Sequence, residues 1–175
     1  MPSSNIWLLM VFVGWCGTLF VYDTLVRRVP NKLLMLAIAL QLGLFVVIGH
    51  GLRGTSPMHG LVGFVIGLAF FLPLYALRAM AAGDVKFFAV IGLLLGPVAL
   101  LPVFLIGSLL AGLHALVYTA SRAGSLPGLQ TVAMRLERWP FYKRILQARG
   151  NRVGIPYAAY LAVGAVWMCV YPKGL

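Results

Sequence analysis

Residues 87–121 read FFAVIGLLLGPVALLPVFLIGSLLAGLHALVYTAS, 35 positions without one charged side chain. A single helix of that length would run about 52 Å, nearly twice the hydrocarbon core of a bilayer. Pro97 and Pro102 supply breaks, because proline removes a backbone donor and clashes with the turn before it. The run therefore reads as two short spans, the fourth and fifth of the chain, and that division sets the side of the membrane on which every later loop falls.

Working outward, residues 6–22 form an uncharged run that ends at Asp23, just long enough to cross the core. Arg27, Arg28 and Lys32 follow in a short loop, where Pro30 and Asn31 carry turn chemistry. Residues 33–52 give a second span that ends near His50, and residues 54–77 a third, with Pro57 near its start and Pro73 inside it. Arg78, Asp84 and Lys86 mark the loop before the long run, and residues 153–172 make the last span. With the long run counted as two crossings, 12 of the 14 basic residues fall on one face, the cytoplasmic one by the positive-inside bias. Only Arg53 and Lys173 lie outside. A single crossing would carry the seven basic residues between Arg122 and Arg152 to the other side, against that bias.

Composition agrees with this pattern. The chain is 62% hydrophobic and 10% charged, with a mean hydropathy of +0.98, whereas soluble domains carry about 25% charged residues. The fold class expected is an all-α polytopic membrane protein of about six transmembrane helices, with both termini outside. The net charge of +11 is distributed between apolar runs, so it speaks for orientation and for anionic lipid headgroups and not for nucleic acid. Cys16 and Cys169 stand inside apolar segments without a C-x-x-C pair, so neither a zinc site nor a disulfide framework is expected, and no metal or cofactor is called for. Between Arg122 and Arg152, Leu129, Val132, Ala133 and Leu136 recur at helical spacing beside Arg135, Arg138 and Trp139. An interfacial amphipathic helix and a solvated charged loop both fit that stretch.

Candidate chemistry follows from the scarcity of acids. There are three, Asp23, Asp84 and Glu137, and the topology places Asp23 and Asp84 at the same membrane depth although 61 positions separate them. Two carboxylates held close in a low dielectric share one proton, so that one activates water while the other protonates the carbonyl or the leaving amine. Structural readings stand beside this one: Asp84 after Gly83 also fits a helix N-cap, and Asp23 four residues before Arg27 also fits an ion pair. A relay subunit of a transporter or assembly machine would need polar residues continuing through the bilayer, and the spans offer only Thr18, Gln41, Ser108 and His114. His114 reads as a histidine bonded to a neighbouring span. Thr55, Ser56 and His59 share a loop but lack an acid, which argues against a serine triad.

Three motifs then carry a resemblance. Asp23 followed by Arg27-Arg28-Val29-Pro30-Asn31, then Gly83-Asp84-Val85-Lys86, then Gly154-Ile155-Pro156-Tyr157-Ala158 resemble the bacterial type IV prepilin peptidases in order, spacing and membrane side, over essentially the whole chain. The resemblance implies a membrane-embedded aspartic endopeptidase of the G-x-G-D class, with Asp23 and Asp84 as the catalytic pair. It would cleave the basic leader from prepilins at the cytoplasmic face of the inner membrane. Gly83, Lys86, Arg28, Pro30 and Asn31 are expected to shape the site or contact substrate, although Lys86 also reads as an interfacial anchor. The partners implied are a prepilin helix and membrane lipid. Residues 1–175 would form a single peptidase domain, similar to the small members that serve Flp or tight-adherence pili, without the methyltransferase-associated domain of larger members. One departure is visible: the family pattern has glycine where this chain has Ala81. Finally, Gly60, Gly63, Gly67, Gly92 and Gly96 mark close helix approach, which serves either internal packing, the favoured reading, or a substrate entrance.

Overall fold

The structure, a computed structural model, describes residues 4–122, 147 and 154–171. Six α-helices order the described residues: α1 Ser4–Val26, α2 Asn31–Ile48, α3 Pro57–Ala76, α4 Ala82–Leu95, α5 Leu100–Arg122 and α6 Tyr157–Val170. The amphipathic stretch expected around Leu129 to Trp139 lies outside the described residues.

Among the described residues, four stretches are long and apolar enough to cross a membrane: Ile6–Val26, Asn31–Ile48, Pro57–Ala76 and Pro97–Ala120. The remaining two helices, α4 and α6, have 14 residues each, which is about 21 Å of rise. Their environment differs accordingly. On α4, Val85 and every residue from Phe87 to Leu94 are buried, whereas the long helices leave Val46, Val47, Leu109 and other large apolar side chains exposed. A helix that is hydrophobic all round and enclosed by amphipathically indifferent neighbours is an interior element, and the apolar outer surface is one that lipid satisfies.

The break in the long apolar run falls where Gly96 and Pro97 place it, but the second half is not short. Gly96 takes φ 84°, ψ 173°, a conformation open to glycine, and a single 3-10 turn at Pro97–Ala99 leads into α5. Pro102 does not end a helix, contrary to the sequence expectation, because it occupies the first turn of α5, where no intrahelical N–H bond is required. Hence α5 runs 23 residues. The first helix is also longer than expected, since α1 continues past Asp23 to Val26 and puts that carboxylate on the helix itself.

Two polar side chains close the end of α4. Pro97 has no N–H to offer the Leu93 carbonyl four residues earlier, and Gln41 Nε2 donates to it instead at 3.1 Å. Gln41 Oε1 accepts from Leu52 N–H at 3.1 Å, so a side chain only 1% exposed ties α2 to α4 and to the turn before α3. Thr55 Oγ1 donates to the Leu94 carbonyl at 3.2 Å.

Packing between helices rests on small residues. Gly63 on α3 and Gly92 on α4 meet backbone to backbone, so a Cβ on either would collide with the other's carbonyl oxygen. Gly60 and Gly67 extend that seam against Leu93 and Ala89. Internal packing is thus what these four glycines do, as the favoured reading had it, whereas a Cβ at Gly96 would meet only Thr55 Cγ2 at 3.9 Å. A second seam joins α5 and α6 through Gly107 against Leu161 and Gly164 against Val103. Phe71 of α3, fully buried, packs on Phe88 of α4, Phe104 of α5 and Tyr157 of α6, with ring centroids 4.5, 5.9 and 6.0 Å away.

Candidate functional site

One end of the bundle gathers the two acidic side chains of the described residues. Asp23 sits on the last full turn of α1 and is 5% exposed. Its Oδ2 accepts a hydrogen bond from the backbone N–H of Ala159 on α6 at 3.1 Å. Asp84 occupies the first turn of α4, half-buried, ahead of the apolar run that begins at Phe87. The cap position of α4 belongs to Ala81, which makes no side-chain cap bond, so Asp84 is not the N-cap that its place after Gly83 allowed.

The first turn of α6 explains how both acids are held. A helix begins with N–H groups that have no partner within it, and their dipoles favour negative charge. Pro156 stands at the cap of α6 with no N–H of its own, leaving the amides of Tyr157, Ala158 and Ala159 facing outward. Ala159 serves Asp23, and the adjacent Ala158 amide acts on Asp84 as a donor that favours its ionised form. Two stronger influences oppose that donor: burial first, then the Asp23 charge, push the Asp84 carboxyl up to about 7. Asp84 lies outside the four long spans, on the turn where α4 starts. The two carboxyls are thus near enough for the charge of Asp23 to act on Asp84.

Other expected residues take definite places. Gly83 is where the two acidic stretches touch: a Cβ there would lie 3.1 Å from Val29 Cβ, in the α1–α2 connection. Pro30 caps α2 and receives the Leu33 and Leu34 amides on its carbonyl at 3.1 and 3.4 Å. Arg28, Asn31 and Lys86 are exposed at the same end of the bundle. Arg27, four residues past Asp23 and in the left-handed region at φ 56°, is an electrostatic neighbour of Asp23, of His114 and of Tyr160. Ser56 is the N-cap of α3 and accepts from His59 N–H at 3.3 Å, which accounts for the Ser and His that share that turn.

The backbone of Ala158 and Ala159 was the part that side-chain chemistry did not point to. Alanine advertises nothing, yet the signal was present, because proline immediately before an apolar run marks a helix start and hence a set of free donors. Tyr157 and Tyr160, on either side of these alanines, also bond to α5: Tyr157 Oη to Ser108 Oγ at 2.8 Å, and Tyr160 Oη to His114 Nδ1. Among the described residues no three His, Cys, Asp or Glu side chains come together as metal ligands.

No curated protein and no solved structure gives a significant match to the chain. A family comparison does: the description "Type IV leader peptidase family" matches residues 10–116, which take in Asp23, Asp84 and the whole of α2, α3 and α4. With well over half its length matched, and with both carboxylates inside the match, the chain belongs to the type IV leader peptidase family.

Proposed function

We propose that this protein is an aspartic endopeptidase that removes the basic leader from Flp-type prepilins, with Asp23 and Asp84 as its catalytic pair. Family membership supports peptidase activity in general. The observation that carries the finer reading is the convergence of the two carboxyls on one helix start, Asp23 on the Ala159 amide and Asp84 beside it with a pKa raised partly by Asp23.

Hydrolysis then needs no other group. The ionised carboxylate takes a proton from a water whose oxygen attacks the scissile carbonyl carbon, while the protonated carboxyl donates to the carbonyl oxygen. As the tetrahedral intermediate collapses, the peptide nitrogen takes a proton from the dyad, a hydroxyl of the intermediate returns one to it, and the C–N bond breaks. The leader leaves with a new carboxylate, the mature chain with a new amine, and the pair again holds one proton. Donors fixed at the start of α6 favour ionisation of the pair, while burial and the Asp23–Asp84 interaction keep one proton on it.

Gly83 brings the α1–α2 connection against α4, while Arg28, Lys86, Pro30 and Asn31 border the site and contact the substrate around the cleavage point. The α1–α2 connection holds only residues 27–30, which favours leader removal without N-methylation and a single peptidase domain. The distribution of basic residues favours an inner-membrane protein with this site at the cytoplasmic face and both termini outside. An ion relay is disfavoured, because the polar residues of the spans are engaged locally: Thr18 with Gly14 O, Gln41 with Leu93 O and Leu52 N–H, Ser108 with Tyr157, His114 with Tyr160.

The test is co-expression with a Flp-type prepilin, followed by measurement of leader removal in membranes. Asp23→Asn and Asp84→Asn each leave the prepilin uncut, a loss of at least about a thousandfold for a group used in both proton transfers. Serine-, cysteine- and metal-directed inhibitors leave cleavage unchanged. Complete processing by either asparagine variant overturns the proposal.

A further inference from the structure

The hydrogen bonds between α5 and α6 do more than join two helices. The seam glycines set the register of the pair: Gly107 lies against Leu161 and Gly164 against Val103, so the helices run antiparallel and Tyr160 stands level with about residue 108. Level with Tyr157 is about residue 111. Yet Tyr157 bonds to Ser108, some three residues further from the site, and Tyr160 bonds to His114, some six residues nearer to it. The two ties therefore cross. One resists displacement of α6 along α5 in one direction, and the other resists the opposite displacement.

What is held in place lies between them. Tyr157 immediately precedes Ala158 and Tyr160 immediately follows Ala159, the two residues whose amides face Asp84 and Asp23. Ordinary polar pairs between spans serve as packing glue anywhere along a helix. These two bracket the donor pair, and Phe71 of α3 buttresses the Tyr157 ring from a third side at 6.0 Å.

We infer that Ser108 and His114 are positioning residues, which act through Tyr157 and Tyr160 to lock the first turn of α6 lengthwise so that its amides stay on the two aspartates. The inference rests on the reading of Asp23 and Asp84 as the catalytic pair. A slack turn draws the donors away, and a carboxylate that loses an N–H partner binds its proton more tightly. The titratable and charged groups that face the pair are Arg27 from the α1–α2 connection, Tyr157 and Tyr160 from α6, and His114 through Tyr160 from α5.

The experiment uses the full chain, purified into lipid nanodiscs, and a synthetic peptide comprising a prepilin leader and its first apolar turns. Ser108→Ala and Tyr160→Phe each lower kcat about three- to tenfold, the scale of one lost hydrogen bond, with KM within about twofold. Both limbs of the pH–rate profile move to higher pH, and Ser108→Thr, which keeps the hydroxyl, restores the wild-type profile. A profile that superimposes on wild type overturns the inference, as does a Ser108→Thr variant no better than Ser108→Ala, since the loss is then one of packing. Amide hydrogen exchange over residues 157–163 provides a readout free of activity: faster exchange in Ser108→Ala supports the tie, and unchanged exchange overturns it. Asp23→Asn and Asp84→Asn run in parallel separate the two levels. If they cut at the wild-type rate, the catalytic reading fails, while exchange still judges the tie on its own.

Discussion

The N–H of Ala159 reaches the carboxylate of Asp23 at 3.1 Å across 136 positions of sequence. That bond makes the last helix part of a site whose two acids come from the first and fourth. It also places a fixed donor on Asp23, while burial first and the Asp23 charge second outweigh the Ala158 donor on Asp84, which holds its proton up to about 7. A proton held on Asp84 beside a second carboxyl is what the division into acid and base proposed for the pair requires.

The same asymmetry makes stability depend on pH. Folding raises the Asp84 pKa above that of an unfolded aspartate near 3.9, so the folded chain retains a proton that the unfolded chain gives up. The group's contribution is fully present below about pH 4 and is lost as pH rises toward 7. Asp84→Asn is therefore expected to melt higher than wild type at pH 8 and to lose that advantage at pH 4, measured by thermal unfolding in detergent. Peptide cleavage by the wild type falls above pH 7, as the shared proton is lost.

The Gly63–Gly92 contact fixes the distance between α3 and α4. Since each added Cβ runs into backbone and not into the end of a movable side chain, the helices must separate. Gly63→Ala or Gly92→Ala is expected to cost about 1–3 kcal/mol, the usual scale of overpacking in an interior without slack. A lower melting temperature, with cleavage by the surviving folded fraction still detectable, checks this.

Gln41 tests a different kind of interior contact. Gln41→Leu keeps the volume but removes the donor to Leu93 O, which Pro97 cannot replace, and the acceptor for Leu52 N–H. Leaving two buried backbone groups without that partner is expected to cost about 2 kcal/mol or more. Thermal unfolding reads it, and because Gln41 lies at the far end of α4 from Asp84, KM for a peptide substrate should hardly change.

These cases show which features were legible in the sequence. Charged residues are few and expensive in lipid, so their spacing located the spans and put Asp23 and Asp84 on one side. Pro97 announced the break in the long run, because proline acts on the backbone locally, whereas Gly96, read as a glycine of close approach, takes a positive φ at that break. Pro102 misled, since the effect of proline depends on whether it falls in the first turn of a helix, and that boundary was set by the 3-10 turn before it. The partners of the Ala158 and Ala159 donors and the Gly63–Gly92 meeting were beyond pattern reading for a different reason. Each is a contact made by a backbone group, and no side-chain pattern states what will lie opposite it.

Alanine at 81 is the last feature with a direct test. Ala81 takes φ −77° and ψ 145°, ordinary extended geometry for any residue, and its side chain is exposed. Nothing there requires glycine, so Ala81→Gly should leave prepilin cleavage within about twofold and slightly loosen the start of α4, by the entropic cost of glycine of about 0.5–1 kcal/mol. Gly83 is the contrasting position. A Cβ at 83 would press on Val29 at 3.1 and 3.2 Å, tighter than relaxed side chains tolerate, and would drive the α1–α2 connection away from α4. Because that connection follows Asp23 by only a few residues, Gly83→Ala is expected to lower kcat by about tenfold or more. Trimming the opposing side chain with Val29→Ala in the same chain should recover much of the loss. If Gly83→Ala alone cleaves at the wild-type rate, the spacing of these two stretches is not what Gly83 controls.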